Sequence, residues 1–385
     1  MREIPYGRQN VTQDDIDAVV EVLRSDFLTQ GPIIAEFENS FANYVGAKYA
    51  IAVSNGTAAL HLNAMALGVK PGDKVITTPI TFAASANCVR YCGGEVIFAD
   101  IDPETSLLDI NNVRALLEND TDNEIKGIIP VNFAGRVVDM EAFRSLANQY
   151  NCWIIEDACH SPGGYFTNKE GNKIMSGSGE YADLSIFSFH PVKHIAAGEG
   201  GMITTNNETL YKKIKNLRTH GIQQDQSLKL ENHGVWYYEM QELGYNYRLT
   251  DIQSALGLSQ LKRADEGLIR RLEIANYYNN AFQNIDFIIR QSGIVKGHAY
   301  HLYVIQVNRR DELINYLREK NIFAQVHYVP VHLMPYYKKF GWKKGDMPNS
   351  ESYYSNCLSL PIFPALSHEE QDFVIQTIFN FFEQN

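Results

Sequence analysis

A lysine set among apolar neighbours is the side chain in this sequence best suited to covalent chemistry. Lys193 lies in the run Ser188-Phe189-His190-Pro191-Val192-Lys193-His194-Ile195-Ala196-Ala197, ahead of Gly198-Glu199-Gly200-Gly201. Desolvation lowers a lysine's pKa toward the free amine that condenses with an aldehyde to a Schiff base. A lysine that merely snorkels to the surface would keep its ordinary basicity. The glycines that follow let the backbone turn sharply or come close to a ligand.

Three other places hold residues that could act with it. Glu156-Asp157 closes an apolar run of Cys152, Trp153, Ile154 and Ile155. A carboxylate there is costly unless a cation meets it, and a protonated pyridine nitrogen is a suitable one. At about 4 Å and an effective dielectric of about 20, that pair is worth on the order of 4 kcal/mol as an upper bound, enough to keep such a ring cationic and therefore an electron sink. An Asp that caps the next segment or pairs with an Arg would satisfy the same position. Ser54-Asn55-Gly56-Thr57 forms a Gly-containing turn before a helix, where free backbone N–H groups and the positive dipole end suit a phosphate; it would serve equally as a plain N-cap. In Thr81-Phe82 the aromatic could lie flat on a heteroaromatic ring or sit in the core. Taken in order, a phosphate-type turn, a stacking aromatic, a strand-end Asp and a desolvated Lys describe a site for one cofactor. Neither a Walker loop nor a G-x-G-x-x-G is present, which argues against a nucleoside triphosphatase and a dinucleotide oxidoreductase.

The elements that must position these residues follow from apolar periodicity. Thr12 with Asp15 marks a helix start, and Ile16, Val19, Val20 and Leu23 continue it; a second helix is expected over 32–44. Short apolar runs at 49–53, 74–78, 95–99, 127–133, 152–156, 183–189 and 201–205 alternate with helical patterns. That alternation predicts an α/β fold, a mostly parallel sheet between helices. In such sheets ligands collect beyond the carboxyl ends of the strands, which is where all four places fall. A connecting helix is expected from 250 to 282, then strand-like runs at 300–307 and 324–328 in a smaller α+β domain. The expected division is a large domain over 1–250, with an N-terminal arm, and a second unit over 251–385.

With 385 residues, the chain exceeds what one core usually organises. It has 45% hydrophobic residues, and no run approaches the roughly 18 apolar residues of a membrane span. Residues 1–12 show no signal-peptide pattern, so a cytoplasmic protein that does not enter the membrane is expected. Five scattered cysteines predict free thiols, and a net charge of −11 without a basic cluster argues against nucleic acid as a partner.

At these residues the chain resembles the DegT/DnrJ/EryC1/StrS sugar aminotransferases, within the fold type I enzymes of pyridoxal 5′-phosphate (PLP). The resemblance spans nearly the whole sequence and rests on Thr29-Gln30-Gly31, Asn55-Gly56-Thr57-Ala58-Ala59-Leu60, Glu156-Asp157-Ala158, Ser188-Phe189-His190 through Lys193, and Gly244-Tyr245-Asn246-Tyr247-Arg248. It implies that Lys193 carries PLP as a Schiff base, Asp157 pairs with the pyridine nitrogen and Phe82 stacks on the ring. It also implies that Gly56, Thr57 and Ser188 hold the phosphate and that His160 bonds the ring hydroxyl. Asn246 would reach the phosphate of the second subunit in a homodimer whose sites are shared across the interface. No metal is implied. A narrower likeness, to the 4-aminotransferases of pseudaminic acid synthesis, rests on Ile76-Thr77-Thr78-Pro79-Ile80-Thr81-Phe82, Ala255-Leu256-Gly257-Leu258-Ser259-Gln260-Leu261 and Ala324-Gln325-Val326-His327-Tyr328. It implies a UDP-linked 4-keto-6-deoxy-N-acetylhexosamine as acceptor, with Tyr6, Thr29, His327 and Tyr328 as candidate sugar contacts.

The resemblance further implies ping-pong transfer from L-glutamate through pyridoxamine phosphate, with Lys193 as base and then acid. Relatives with His in place of the lysine are dehydratases, and retention of Lys193 argues against that chemistry. A dTDP- or GDP-linked or 3-keto sugar is the alternative acceptor, and a noncatalytic regulator with the same fold is the remote one.

Overall fold

The computed structural model describes residues 3–223, 225, 227, 229–231 and 233–383. A seven-stranded sheet forms its centre, in the order Tyr49–Val53, Gly201–Thr205, Leu184–Ser188, Trp153–Asp157, Ile125–Ile129, Lys74–Thr77, Glu95–Phe98. Gly201–Thr205 is antiparallel to both neighbours and the remaining pairings are parallel. Six strands therefore run in one direction. This is the mostly parallel α/β sheet expected from the alternation, with one antiparallel strand in it. Its strands are apolar because helices cover both faces: Ile51, Ile154, Ile155, Ile186 and Ile203 are all fully buried.

The shared direction sets the carboxyl ends Val53, Asp157, Ser188 and Thr77 along one edge, joined there by Gly201 at the start of the antiparallel strand. Helix Gly56–Ala66 begins at that edge, with the Asn55 side chain accepting from Ala58 N–H at 2.8 Å. Gly201 is required by a close approach: a Cβ there would stand 2.6 Å from the Asn55 carbonyl and 2.9 Å from Gly56 N.

A second, three-stranded antiparallel sheet, Ile288–Gln291, Tyr303–Val307 and Cys357–Leu360, packs with helices Arg310–Glu319 and His368–Glu383 around Leu313, Leu317, Val374 and Ile378. The amino-terminal strand Ile4–Pro5 pairs in parallel with Ile322–Phe323, so the first residues are tied to this later part of the chain.

Several boundaries differ from the sequence-based expectation, each for a physical reason. The strand expected over 127–133 stops at Ile129, because Pro130 has no N–H to continue the ladder. The helix expected over 250–282 divides into Asp251–Leu261 and Ala264–Ala281. At the break Arg263 reaches back to the buried Asp15 at 2.6 Å, beside bonds from Ser259 and Gln260. Asp15 also accepts from Thr12 N–H at 2.9 Å, the helix-start contact their spacing implied. Instead of a strand over 324–328, only Ile322–Phe323 is in a ladder, and a cis peptide joins His327 to Tyr328. Tyr303, rather than residue 300, opens its strand, since Tyr300 has a φ of +46° and cannot extend the ladder.

Candidate functional site

One cavity of about 850 Å³ lies along the carboxyl edge of the large sheet. Lys193 and Asp157 line it, together with Gly56, Thr57, Ser188 and Phe82. So do His160, His327, Tyr328 and Tyr6, the last carried in from the amino-terminal arm. Ten of the twelve candidate residues thus meet in one space. Thr29 and Asn246 do not line it: Thr29 is exposed in a bridge with Thr250, and Asn246 is exposed in a bridge with Thr219.

The first turn of helix Gly56–Ala66 supplies the cavity with donors. Among the described residues no protein acceptor takes the N–H of Gly56 or Thr57, whereas Ala58 and Ala59 are served by Asn55. Two free amides at a helix start favour an anion. Ser188 stands against the same turn, its Cβ 3.1 Å from where a Gly56 Cβ would be.

Asp157, 5% exposed, ends the strand that the apolar run built. Its Oδ2 accepts from Ser85 Oγ at 2.7 Å and its Oδ1 from Cys159 N–H at 3.2 Å. Glu156, one residue earlier, points to the opposite face and is satisfied there by Asn132, Ser176, Ser185 and the Gly177 N–H. The alternation of a strand thus separates a structural carboxylate from one that borders the cavity.

Lys193 lines the cavity, and Ile195, Ala196 and Ala197, which follow it in the chain, are buried. Burial pulls its pKa below the usual lysine range, and the Cys159 thiol and Asp157 carboxylate oppose part of that fall. Its Nζ lies 3.3 Å from His301 Nε2.

His160 shows which of its nitrogens carries the proton. Ala134 N–H donates to Nδ1 at 3.2 Å, so the neutral ring holds its hydrogen on Nε2, which lies 3.2 Å from Tyr328 Oη. Burial first, then the charge of Lys193, holds this imidazole far below its ordinary pKa. Burial likewise keeps Tyr328 a phenol and takes His327 down to about 3. Phe82 is 61% exposed, its ring centroid 6.4 Å from that of Tyr328, an apolar face open to the cavity. Among the described residues no group of three or more His, Cys, Asp or Glu could hold a metal ion, and no helix is long and apolar enough to cross a membrane.

Three features have no counterpart in the sequence reading: Ser85 on Asp157, His301 on Lys193, and a stack of Tyr245 on Tyr247, 4.9 Å apart, at the cavity wall. Ser85 lies three residues beyond Phe82 in the same turn, which is the only signal that pointed near it.

A sequence profile of the DegT/DnrJ/EryC1/StrS aminotransferase family matches residues 9–379. The chain is 38% identical to a UDP-4-amino-4,6-dideoxy-N-acetyl-beta-L-altrosamine transaminase of Campylobacter jejuni, covering 99% of this chain and 98% of that one. Among solved structures it is similar to Helicobacter pylori PseC, an aminotransferase involved in the biosynthesis of pseudoaminic acid, with a TM-score of 0.90, 30% identity and full coverage of both chains. The PLP-form of the putative sugar aminotransferase Spr1654 from Streptococcus pneumoniae superposes with a TM-score of 0.88 at 29% identity, covering 99% of each chain.

Proposed function

Because this chain belongs to the DegT/DnrJ/EryC1/StrS aminotransferase family, we propose that it moves an amino group from L-glutamate to C4 of a UDP-linked 4-keto-6-deoxy-N-acetylhexosamine. It is a sugar aminotransferase, and its cofactor is pyridoxal 5′-phosphate. The observation that carries the assignment is that Lys193, Asp157 and the free amides of Gly56 and Thr57 border one cavity.

These residues suit the cofactor group by group. The unpaired amides at a helix start, with the Thr57 and Ser188 hydroxyls, fit a phosphate. Asp157 fits a cationic ring nitrogen, the open face of Phe82 fits a flat ring, and the Nε2–H of His160 fits a ring hydroxylate. When bound, pyridoxal phosphate supplies an aldehyde that condenses with amines and a cationic ring that accepts electrons from the bond being broken.

The protein's share is acid-base work and placement. As a free amine, Lys193 would take the proton from the α-carbon of the amino donor and pass it to the cofactor's aldehyde-derived carbon; in the second half it would take a proton back from that carbon and deliver it to C4 of the sugar. Asp157 keeps the ring nitrogen charged through both halves. His327, Tyr328 and Tyr6 contact the sugar nucleotide, whereas Thr29 lies outside the cavity, and Asn246 of one protomer completes the phosphate site of its partner in a homodimer. Support for the UDP-linked acceptor aminated at C4 comes from the similarity to the Campylobacter UDP-4-amino-4,6-dideoxy-N-acetyl-beta-L-altrosamine transaminase, and the similarity to the Helicobacter aminotransferase of pseudoaminic acid biosynthesis agrees with an aminosugar product.

The test is an assay of the PLP-loaded protein with L-glutamate and a panel of keto sugar nucleotides, following 2-oxoglutarate and the mass of the sugar. Efficient amination of the UDP-linked 4-keto-6-deoxy-N-acetylhexosamine is the expected result. Preference for a dTDP- or GDP-linked sugar, or for a 3-keto sugar, replaces that acceptor.

A further inference from the structure

Lys193 Nζ has one hydrogen-bonding neighbour among the described side chains, His301, whose Nε2 is 3.3 Å away and whose position is 108 residues further along the chain. The loop that brings it there is fixed from several directions. Ala299 N–H donates to Gly135 O at 2.8 Å and Leu302 N–H to Ala134 O at 3.1 Å. The buried guanidinium of Arg271 donates to the carbonyls of Tyr300 and His301, at 3.1 and 3.4 Å, and His194 Nε2–H donates to Ala299 O at 2.8 Å. Tyr300 is held at a φ of +46°, a left-handed conformation that bulky residues avoid, and such strain persists only where the surroundings over-determine it. His301 itself is 4% exposed, with its ring 4.3 Å from that of His160. Its Nδ1 is buried without a protein partner, so among the described residues the ring's polar contact is with Lys193.

We propose that His301 is a positioning residue for Lys193: its Nε2 anchors the uncombined amine at the cavity wall, so that the nitrogen is already in place when an aldehyde arrives. The inference rests on reading Lys193 as the lysine that condenses with pyridoxal phosphate. A lysine side chain left free samples many rotamers and spends little time within bonding reach, and an anchor raises its effective concentration at the reacting carbon. Condensation joins Nζ to the aldehyde carbon, and the amine's two hydrogens leave with the carbonyl oxygen as water. A hydrogen bond donated by that amine to Nε2 therefore exists before capture and after release. His301 acts at those stages and not while the lysine is combined.

The amide of glutamine reaches about as far as imidazole Nε2, whereas that of asparagine stops near Nδ1. H301Q and H301N accordingly separate the contact from the bulk of the ring. Cofactor-free native protein and both variants are mixed with pyridoxal phosphate, reduced with borohydride at timed intervals, and the Lys193 peptide is weighed. Capture by H301N is expected to be about tenfold slower than native, with H301Q within about threefold. Pyridoxamine phosphate, which has no aldehyde, is expected to bind all three equally. Equal capture by native protein and H301N overturns the proposal. So does a variant that fails to fold or loses pyridoxamine phosphate, because His301 is then a packing residue. If native protein captures nothing at Lys193, the reading of the lysine itself fails, which is a different result.

Discussion

Ser85 Oγ lies 2.7 Å from Asp157 Oδ2, and Thr81 Oγ1 lies 2.7 Å from Ser85 Oγ. An ionised carboxylate only accepts, so the single hydroxyl hydrogen of Ser85 goes to Asp157 and Thr81 must donate to Ser85. A directed chain of donors thus orients the carboxylate that faces the cavity.

Ser85→Ala removes that donor and leaves an acceptor of a buried, charged group unserved. Hydrogen bonds to charged groups are worth about 1.5–3 kcal/mol, so pyridoxal phosphate should bind at least about tenfold more weakly. Titration of the cofactor-free protein measures this. An unchanged Kd would show that Asp157 keeps its orientation without Ser85.

Gly201→Ala tests the packing behind the anion-binding turn. Its φ is not positive, so the obstacle is steric: the new Cβ would meet the Asn55 carbonyl at 2.6 Å. The backbone must move, at a cost of about 1–3 kcal/mol for overpacking. The expected outcome is a lower Tm together with weaker phosphate-dependent binding, read by thermal unfolding and by titration with pyridoxamine phosphate.

How far this arrangement could be read from the sequence depends on how local its signals are. Lys193 and Asp157 follow apolar runs that had to be strands, and the ends of parallel strands share an edge, so their meeting was legible. Ser85 and His301 were not, because they approach Asp157 and Lys193 across 72 and 108 residues and no periodicity encodes that. Nor does alternation single out the strand that runs against the rest, and the antiparallel setting of Gly201–Thr205 emerged from the structure alone. The divided helix has the same origin: Arg263 turns aside for Asp15, 248 residues away.

Acid lability follows from the buried imidazoles. His160, His194 and His301 are held well below the ordinary histidine value and His327 is at about 3, burial being the chief cause in each. The sign follows from proton counts. Between about 3 and 6.5 the unfolded chain protonates His327 and the folded chain does not, so stability rises with pH and falls on acidification. Each such histidine contributes up to about 1.4 kcal/mol per pH unit. His327→Asn, which retains a nitrogen or oxygen near Nδ1 and its Ser359 contact, should flatten the slope by about one proton in denaturant titrations from pH 7 to 4. An unaltered slope would mean that His327 titrates normally in the folded protein.

Lys193→Ala removes the amine and should abolish turnover together with the visible absorbance of the covalently held cofactor. Binding is a separate matter, since the phosphate and ring contacts belong to Gly56, Thr57, Ser188, Asp157 and Phe82, all on other parts of the cavity wall. Pyridoxamine phosphate should therefore bind the variant about as well as native protein, and the Tm should not fall. It should even rise slightly toward neutral pH, because burial depresses the Lys193 pKa and a buried amine that resists protonation opposes folding below the ordinary lysine value of 10.5. Absorbance spectra, glutamate half-reactions and unfolding curves of the same preparation separate these outcomes. A variant that keeps full turnover would leave the amine at position 193 without a chemical role.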